Sequence, residues 1–233
     1  MKRIFVPTRN GTDWQRLLAK PKLHWKKGAS AMTAAAAWED AGDSLPEEIS
    51  RLLSSASETV LQELKLLAAI PEWEVKLPGG ETTSNTDVMA ICRNESGLCI
   101  VAVEAKVHED FGPLVGEKRS SASPNQLSRL RYLHEVLNVE MFDDAIRYQL
   151  LHRTASAILT ALDFHAPVAV MLVHAFDTPS ERKSDFTAFC NVMGAIELAT
   201  NVFKVPGIAN PQLYLAWCDG NLKYREVQLD CMV

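Results

Sequence analysis

The 233-residue chain has no apolar stretch long enough to cross a bilayer. A spanning helix needs about 20 consecutive apolar residues, and the longest run here is Ala166 to Val173. The basic N-terminus offers only Ile4, Phe5 and Val6 before Pro7, too few for a secretory signal core. A cytoplasmic protein without membrane contact is therefore expected. Five cysteines (Cys92, Cys99, Cys190, Cys218, Cys231) make an odd set, and none are spaced C-x-x-C. That argues against a zinc knot or a disulfide framework and for free, mostly buried thiols. His108-Glu109-Asp110 lacks the i, i+4 histidine pair of a zinc helix. A phosphate-binding glycine loop, a dinucleotide fingerprint and a nucleophile elbow are missing as well. Disorder is excluded by a hydrophobic content of 47%.

Charge is present but unevenly placed. Residues 1–30 carry eight Lys/Arg and one acid, Asp13, a net of +7, while the remainder carries −12. Such asymmetry points to an anionic partner met at one end, or to a solvated basic surface that offsets the acidic body. In Lys20-Pro21-Lys22 and Trp25-Lys26-Lys27 an aromatic lies among cations. Lys26 and Lys27 there could grip a nucleic-acid backbone while Trp25 stacks on a base; the alternative is a loop whose Trp25 packs on the body.

The pattern along the chain predicts an α/β protein of one domain, with residues 1–44 as a basic elaboration, 45–175 as the core and 176–233 as a helix and hairpin. Arg3 to Pro7 reads as a strand. Helices are expected after Thr12 or Asp13, from Ala31 to Asp40 behind a Ser30 cap, and, with a break near Ser54 to Ser57, from Leu45 to Ile70. Pro71 ends that region. Strands follow at Trp73 to Leu77, Thr86 to Cys92 and Leu98 to Val107, the last two joined by a turn at Asn94 to Gly97. Two helices come next, one from Ser123-Pro124 and one from Asp143 or Asp144 to about Leu162. The wholly apolar Pro167 to Ala175 reads as a strand buried on both faces. Ser184 caps another helix, and a hairpin closes the chain around Asp219-Gly220.

The chemistry lies where charges interrupt the second and third strands. Alternation places Ala102, Glu104 and Lys106 on one face. If Arg93 pairs with Leu98 across the turn, the same register sets Cys92 against Cys99 and Asp87 against Glu104. Opposed carboxylates repel, and burial makes this worse. A shared proton, a nearby cation or a bound hard divalent ion would offset the repulsion. Lys106 could then orient or deprotonate a water, or stabilise charge on a phosphate.

Asp87 followed by Glu104-Ala105-Lys106 at the end of an apolar strand resembles the D…(D/E)-x-K signature of the PD-(D/E)XK nuclease superfamily, the restriction-endonuclease-like fold. The helix, three-stranded antiparallel meander, helix and strand expected over Leu45 to Ala175 are similar to its core, here within a mixed sheet flanked by helices. Thr86 stands where the superfamily often has proline. The resemblance implies Asp87 and Glu104 as metal ligands, Lys106 as the water-activating or charge-stabilising residue, and Mg²⁺ or Mn²⁺ as cofactor. It adds a carboxylate from the preceding helix, for which Glu48 is chosen over Glu47 and Glu39, and a helical glutamine, for which Gln149 is the candidate. Arg153 shares that helical face, with His152 beside it, and would hold the backbone of a nucleic acid, DNA before RNA. A narrow contact surface or a protein partner would reconcile this with the acidic body. The chain as a whole also resembles a bacterial family of unassigned activity. The competing expectation is a non-catalytic module that keeps the nuclease-like fold.

Overall fold

The structure, a computed structural model, describes Thr8 and residues 10–80 and 82–230. The strand expected at Arg3 to Pro7 and the thiol of Cys231 lie outside the described residues.

Seven strands form one mixed sheet in the order β1-β2-β3-β4-β7-β6-β5. They are β1 (Lys65–Val75), β2 (Ser84–Asn94), β3 (Gly97–Lys106), β4 (Val168–Ala175), β5 (Ile196–Ala199), β6 (Val202–Ala209) and β7 (Gln212–Asp219). The first three make an antiparallel meander, and β4 and β7 run parallel to β3. The helices are α1 (Pro21–His24), α2 (Ser30–Ala41), α3 (Glu47–Ser55), α4 (Val115–Ser120), α5 (Pro124–Val136), α6 (Tyr148–Asp163) and α7 (Ser180–Val192). Helices α4 to α6 form the crossover that two adjacent parallel strands require.

Strand alternation sorts the core into two layers. Ile100 and Ala102 of β3 pack with Leu150, Leu151 and Ala155 of α6 and with Phe186 and Phe189 of α7. Val101 and Val103 point to the other layer, with Trp38 of α2 and Ile49 and Leu53 of α3. All eight residues of β4 are buried, as its uninterrupted apolar run demands.

The register deduced from the turn holds: Arg93 pairs with Leu98, Cys92 with Cys99, and the ladder continues to Val88 against Val103. Cys92, Cys99, Cys190 and Cys218 are free and buried, and burial pushes the Cys92 and Cys190 thiols up to about 12.

Several expectations are corrected. Ser184 lies inside α7, which begins at Ser180, and α6 begins at Tyr148, after Asp143 and Asp144. Helix α3 ends at Ser55, and after a 3-10 turn (Thr59–Leu61) the chain enters β1 at Lys65, eight residues before the expected strand. The Leu and Ala of that segment favour helix intrinsically, but its apolar side chains complete both faces beside β2, and tertiary pairing overrides propensity. The terminal hairpin is also misplaced. Strand β7 pairs backwards with β6, and Leu222–Glu226 is a 3-10 helix begun by Asn221, whose side chain accepts from the Lys223 amide.

Candidate active site

The paired ladder between β2 and β3 stops at Val88 and Val103. One step on, the Asp87 carboxylate takes the Ala105 amide through Oδ2 at 2.7 Å, a donor that a continuing ladder would have used. Glu104 and Lys106 leave β3 on the α6 side. Lys106 Nζ donates to Glu104 Oε1 at 2.7 Å, and both side chains are nearly excluded from solvent. Helix α6 contributes Gln149, whose Nε2 lies 2.7 Å from Glu104 Oε1, and Arg153, which bonds to Glu104 Oε2. Phe111 supports Lys106 from below, its ring centre 5.2 Å from Nζ.

Asp87, Glu104, Lys106, Gln149 and Arg153 line a cleft of about 950 Å³. One wall comes from the N-terminal elaboration (Leu18, Leu23, His24 and Ala29 to Ala31), the other from β1, β2 and α6. Helix α2 is fixed over the cleft by Glu109, whose Oε1 accepts from the Ser30 amide and hydroxyl. Its Oε2 accepts from the amide of Val107, directly after Lys106.

Glu72 joins the site without having been singled out from sequence. The pairs Pro71–Val88 and Trp73–Thr86 place it at the level of Asp87, and it lines the same cleft. Its φ of 51° is a left-handed conformation that a glutamate enters at a cost. Burial, and then the charge of Asp87, raise its carboxyl to about 8. Asp87 is raised to about 7, by burial first and by Glu104 second. Burial pushes Glu104 up too, but Arg153 and Lys106 outweigh it and bring that carboxyl down to about 2. Three acids in one cleft thus divide: Glu104 is ionised and held by two cations, while Glu72 and Asp87 are acids in need of a proton or a cation.

Of the other expected residues, Glu48, Trp25, Lys26 and Lys27 fall elsewhere, while Arg153 and His152 line the cleft. Glu48 stands on the opposite face of the sheet, where Oε1 meets His174 Nε2 at 3.2 Å and the Asn221 amide at 3.4 Å. His174 pairs in register with Ala105, so it points away from Glu104 and Lys106. Trp25 is 4% exposed within the α2-side core, and its indole N–H donates to Asp230 O. It packs on the body and has no free face for a base. Lys27 bonds to Glu226 at 2.9 Å, and Lys26 is exposed outside the cleft. Arg153 is committed to Glu104 and Ser84 Oγ, a positioning group rather than a free clamp on a phosphate. His152 does line the cleft, with Nδ1 2.8 Å from Ser84 Oγ. Burial, with Arg153 beside it, holds its pKa well below the usual histidine value.

The carboxylate oxygens of Glu72 and Asp87 in the cleft suit a hard cation such as Mg²⁺ or Mn²⁺. Among the described residues no three His, Cys, Asp or Glu side chains stand in a ready-made ligating group. Glu72 and Asp87, the two carboxylates raised by burial first and by neighbouring acids second, match the one or two protein ligands that Mg²⁺ usually takes.

A family model described as Domain of unknown function (DUF6946) matches residues 7–222. The chain belongs to this family. The match spans the N-terminal elaboration as well as the sheet, so the cleft, with walls from both, lies wholly within the DUF6946 region. No curated protein and no solved structure matches the chain. Among the described residues no helix is long and apolar enough to cross a membrane.

Proposed function

We propose that the chain is a metal-dependent phosphodiesterase, a nuclease acting on DNA before RNA, with Asp87, Glu104 and Lys106 as its centre. The observation that supports this reading is the meeting of those three side chains, with Glu72 and Gln149, on the floor of one open cleft. Asp87 and Glu72 would hold Mg²⁺ or Mn²⁺, with Glu104 beside them. Such an ion, when bound, would polarise a phosphate oxygen and lower the pKa of water. Lys106 places a buried positive charge where negative charge would build on the phosphate. Its partner Glu104 fixes the ammonium, and Gln149 and Arg153 fix Glu104. The fork beyond Val88–Val103 exposes Asp87 to the cleft while the Ala105 amide orients it.

The saturation of Glu104 by protein donors favours a second reading, a binding module that keeps the fold without hydrolysis. Thermal melting with Mg²⁺ or Mn²⁺ separates the two. On the hydrolase reading either ion raises the melting temperature, Asp87→Ala abolishes the rise, and Lys106→Ala loses nicking of supercoiled DNA. If neither ion shifts melting and Asp87→Ala behaves as wild type, the binding module stands.

A further inference from the structure

Three permanent cations line the cleft: Lys106, Arg153 and Lys118. The first two are bonded to Glu104. Lys118, on α4, has no carboxylate partner among the described residues. Its ammonium is held 5.5 Å from the ring centre of Tyr148, at the first turn of α6. The Tyr148 ring leans on His152, with centroids 5.1 Å apart. Lys118 is half-buried, so its stem is guided while its charge stays available.

Lys118 also marks a junction. A second pocket, of about 440 Å³, shares Thr82, Thr83, Lys118, Tyr148 and His152 with the large cleft. Beyond that waist it is lined by Gly79 and Gly80, and by Asn125, Gln126 and Arg129 of α5. Arg129 makes the wall stiff. It donates to the carbonyls of Leu77, Pro78, Gly80 and Thr82 and to the Thr82 hydroxyl. A side chain at Gly79 would meet the Asn125 carbonyl at 2.1 Å, so only glycine lets this loop lie against α5. His152 lines both pockets with Nδ1 2.8 Å from Ser84 Oγ, and burial holds its pKa down.

We infer that Lys118 is a phosphate-binding residue at the waist between the two pockets, and that the smaller pocket takes the adjoining nucleoside of a single nucleic-acid strand. This rests on the phosphodiesterase reading of the large cleft. The acidic side chains around Asp87 repel a polyanion unless cations answer it, and among the described residues Lys118 is the Lys or Arg of the large cleft with no carboxylate bonded to it. The phosphate it holds would be a neighbour of the one at Lys106. A nucleoside enclosed between the loop before β2 and α5, next to the amide side chain of Asn125, would have its base edge turned to protein. Such a base is unpaired, which selects a single strand over a duplex.

The probe is a fluorescein-labelled single strand of six deoxythymidines. Its binding is read by anisotropy in EDTA, where no hydrolysis occurs. Lys118→Ala should weaken binding about tenfold, the scale of one charged hydrogen bond. It should also lower the slope of log affinity against log salt by about 1. Lys118→Arg should restore most of both, and melting temperatures of both variants should match wild type. A GC-rich hairpin duplex, with a stem long enough to stay paired, should bind more weakly. Equal binding of strand by wild type and Lys118→Ala overturns the inference, as does a duplex that binds as tightly as the strand with the same dependence on Lys118. The two readings fail separately: Lys118-dependent binding without metal-dependent cleavage removes only the hydrolase, and cleavage without a Lys118 effect removes only the subsite.

Discussion

Glu104 and Lys106 lie two residues apart on one face of β3, joined at 2.7 Å and almost sealed from water. An ion pair so placed is costly to half-dismantle. Glu104→Ala leaves the charges of Lys106 and Arg153 uncompensated, and a loss of about 3–5 kcal/mol is expected. Urea denaturation of Glu104→Ala, beside Glu104→Gln as the milder change, measures it. A loss below about 1 kcal/mol would mean that water already reaches the pair.

The pH dependence has two opposed parts. Glu72 and Asp87 are raised in the folded state, so the stability they contribute is complete below the unfolded carboxylate range, near pH 4. It is lost as pH climbs through about 7 and about 8. Glu104 is lowered; its contribution is complete above its unfolded value and is lost as pH falls toward about 2. Between pH 5 and 8 the wild type should therefore lose stability relative to Asp87→Asn, by up to about 1.4 kcal/mol for each unit while one carboxyl titrates. Parallel stability curves for the two proteins would refute the shared-charge account.

Protons and cations compete for the same oxygens. The rise in melting temperature given by Mg²⁺ or Mn²⁺ should accordingly be larger at pH 8 than at pH 6. Glu72→Gln should shrink that rise, and a titration at the two pH values with the variant in parallel checks both.

Glu48 offers a contrast. It sits across the sheet from Asp87, held by His174 and the Asn221 amide. Glu48→Gln should lower the melting temperature by a few degrees through the loss of that partnership, the scale of about 1 kcal/mol in a domain of this size. The cation-induced shift should remain. Loss of the shift in Glu48→Gln would return this residue to the site.

What the sequence made legible follows from how local each signal is. The β2–β3 register was readable because a turn at Asn94 to Gly97 sets Arg93 against Leu98; the ladder keeps that register and closes one pair tighter, at Asn94 and Gly97. With the register came Asp87, Glu104 and Lys106. Glu72 was hidden because Leu66 to Ile70 favours helix intrinsically and Pro71 looked like its stop; only pairing to β2 makes that stretch a strand. Trp25 was ambiguous for a different reason. Whether an aromatic among lysines is wet or buried depends on a distant element, here Asp230. Lys118, the proposed phosphate contact, carried no local signal, since it stands out only once Glu104 is seen to hold Lys106 and Arg153.

One carboxylate, Glu104, draws bonds from β3 through Lys106 and from α6 through Gln149 and Arg153. It therefore ties the chemistry to a docking event. Until α6 settles on the sheet, the acid lacks two of its three donors and the cations have no fixed place. On the hydrolase reading, competence should arrive in a single step with the last stage of folding, so that a half-assembled chain would carry no working centre.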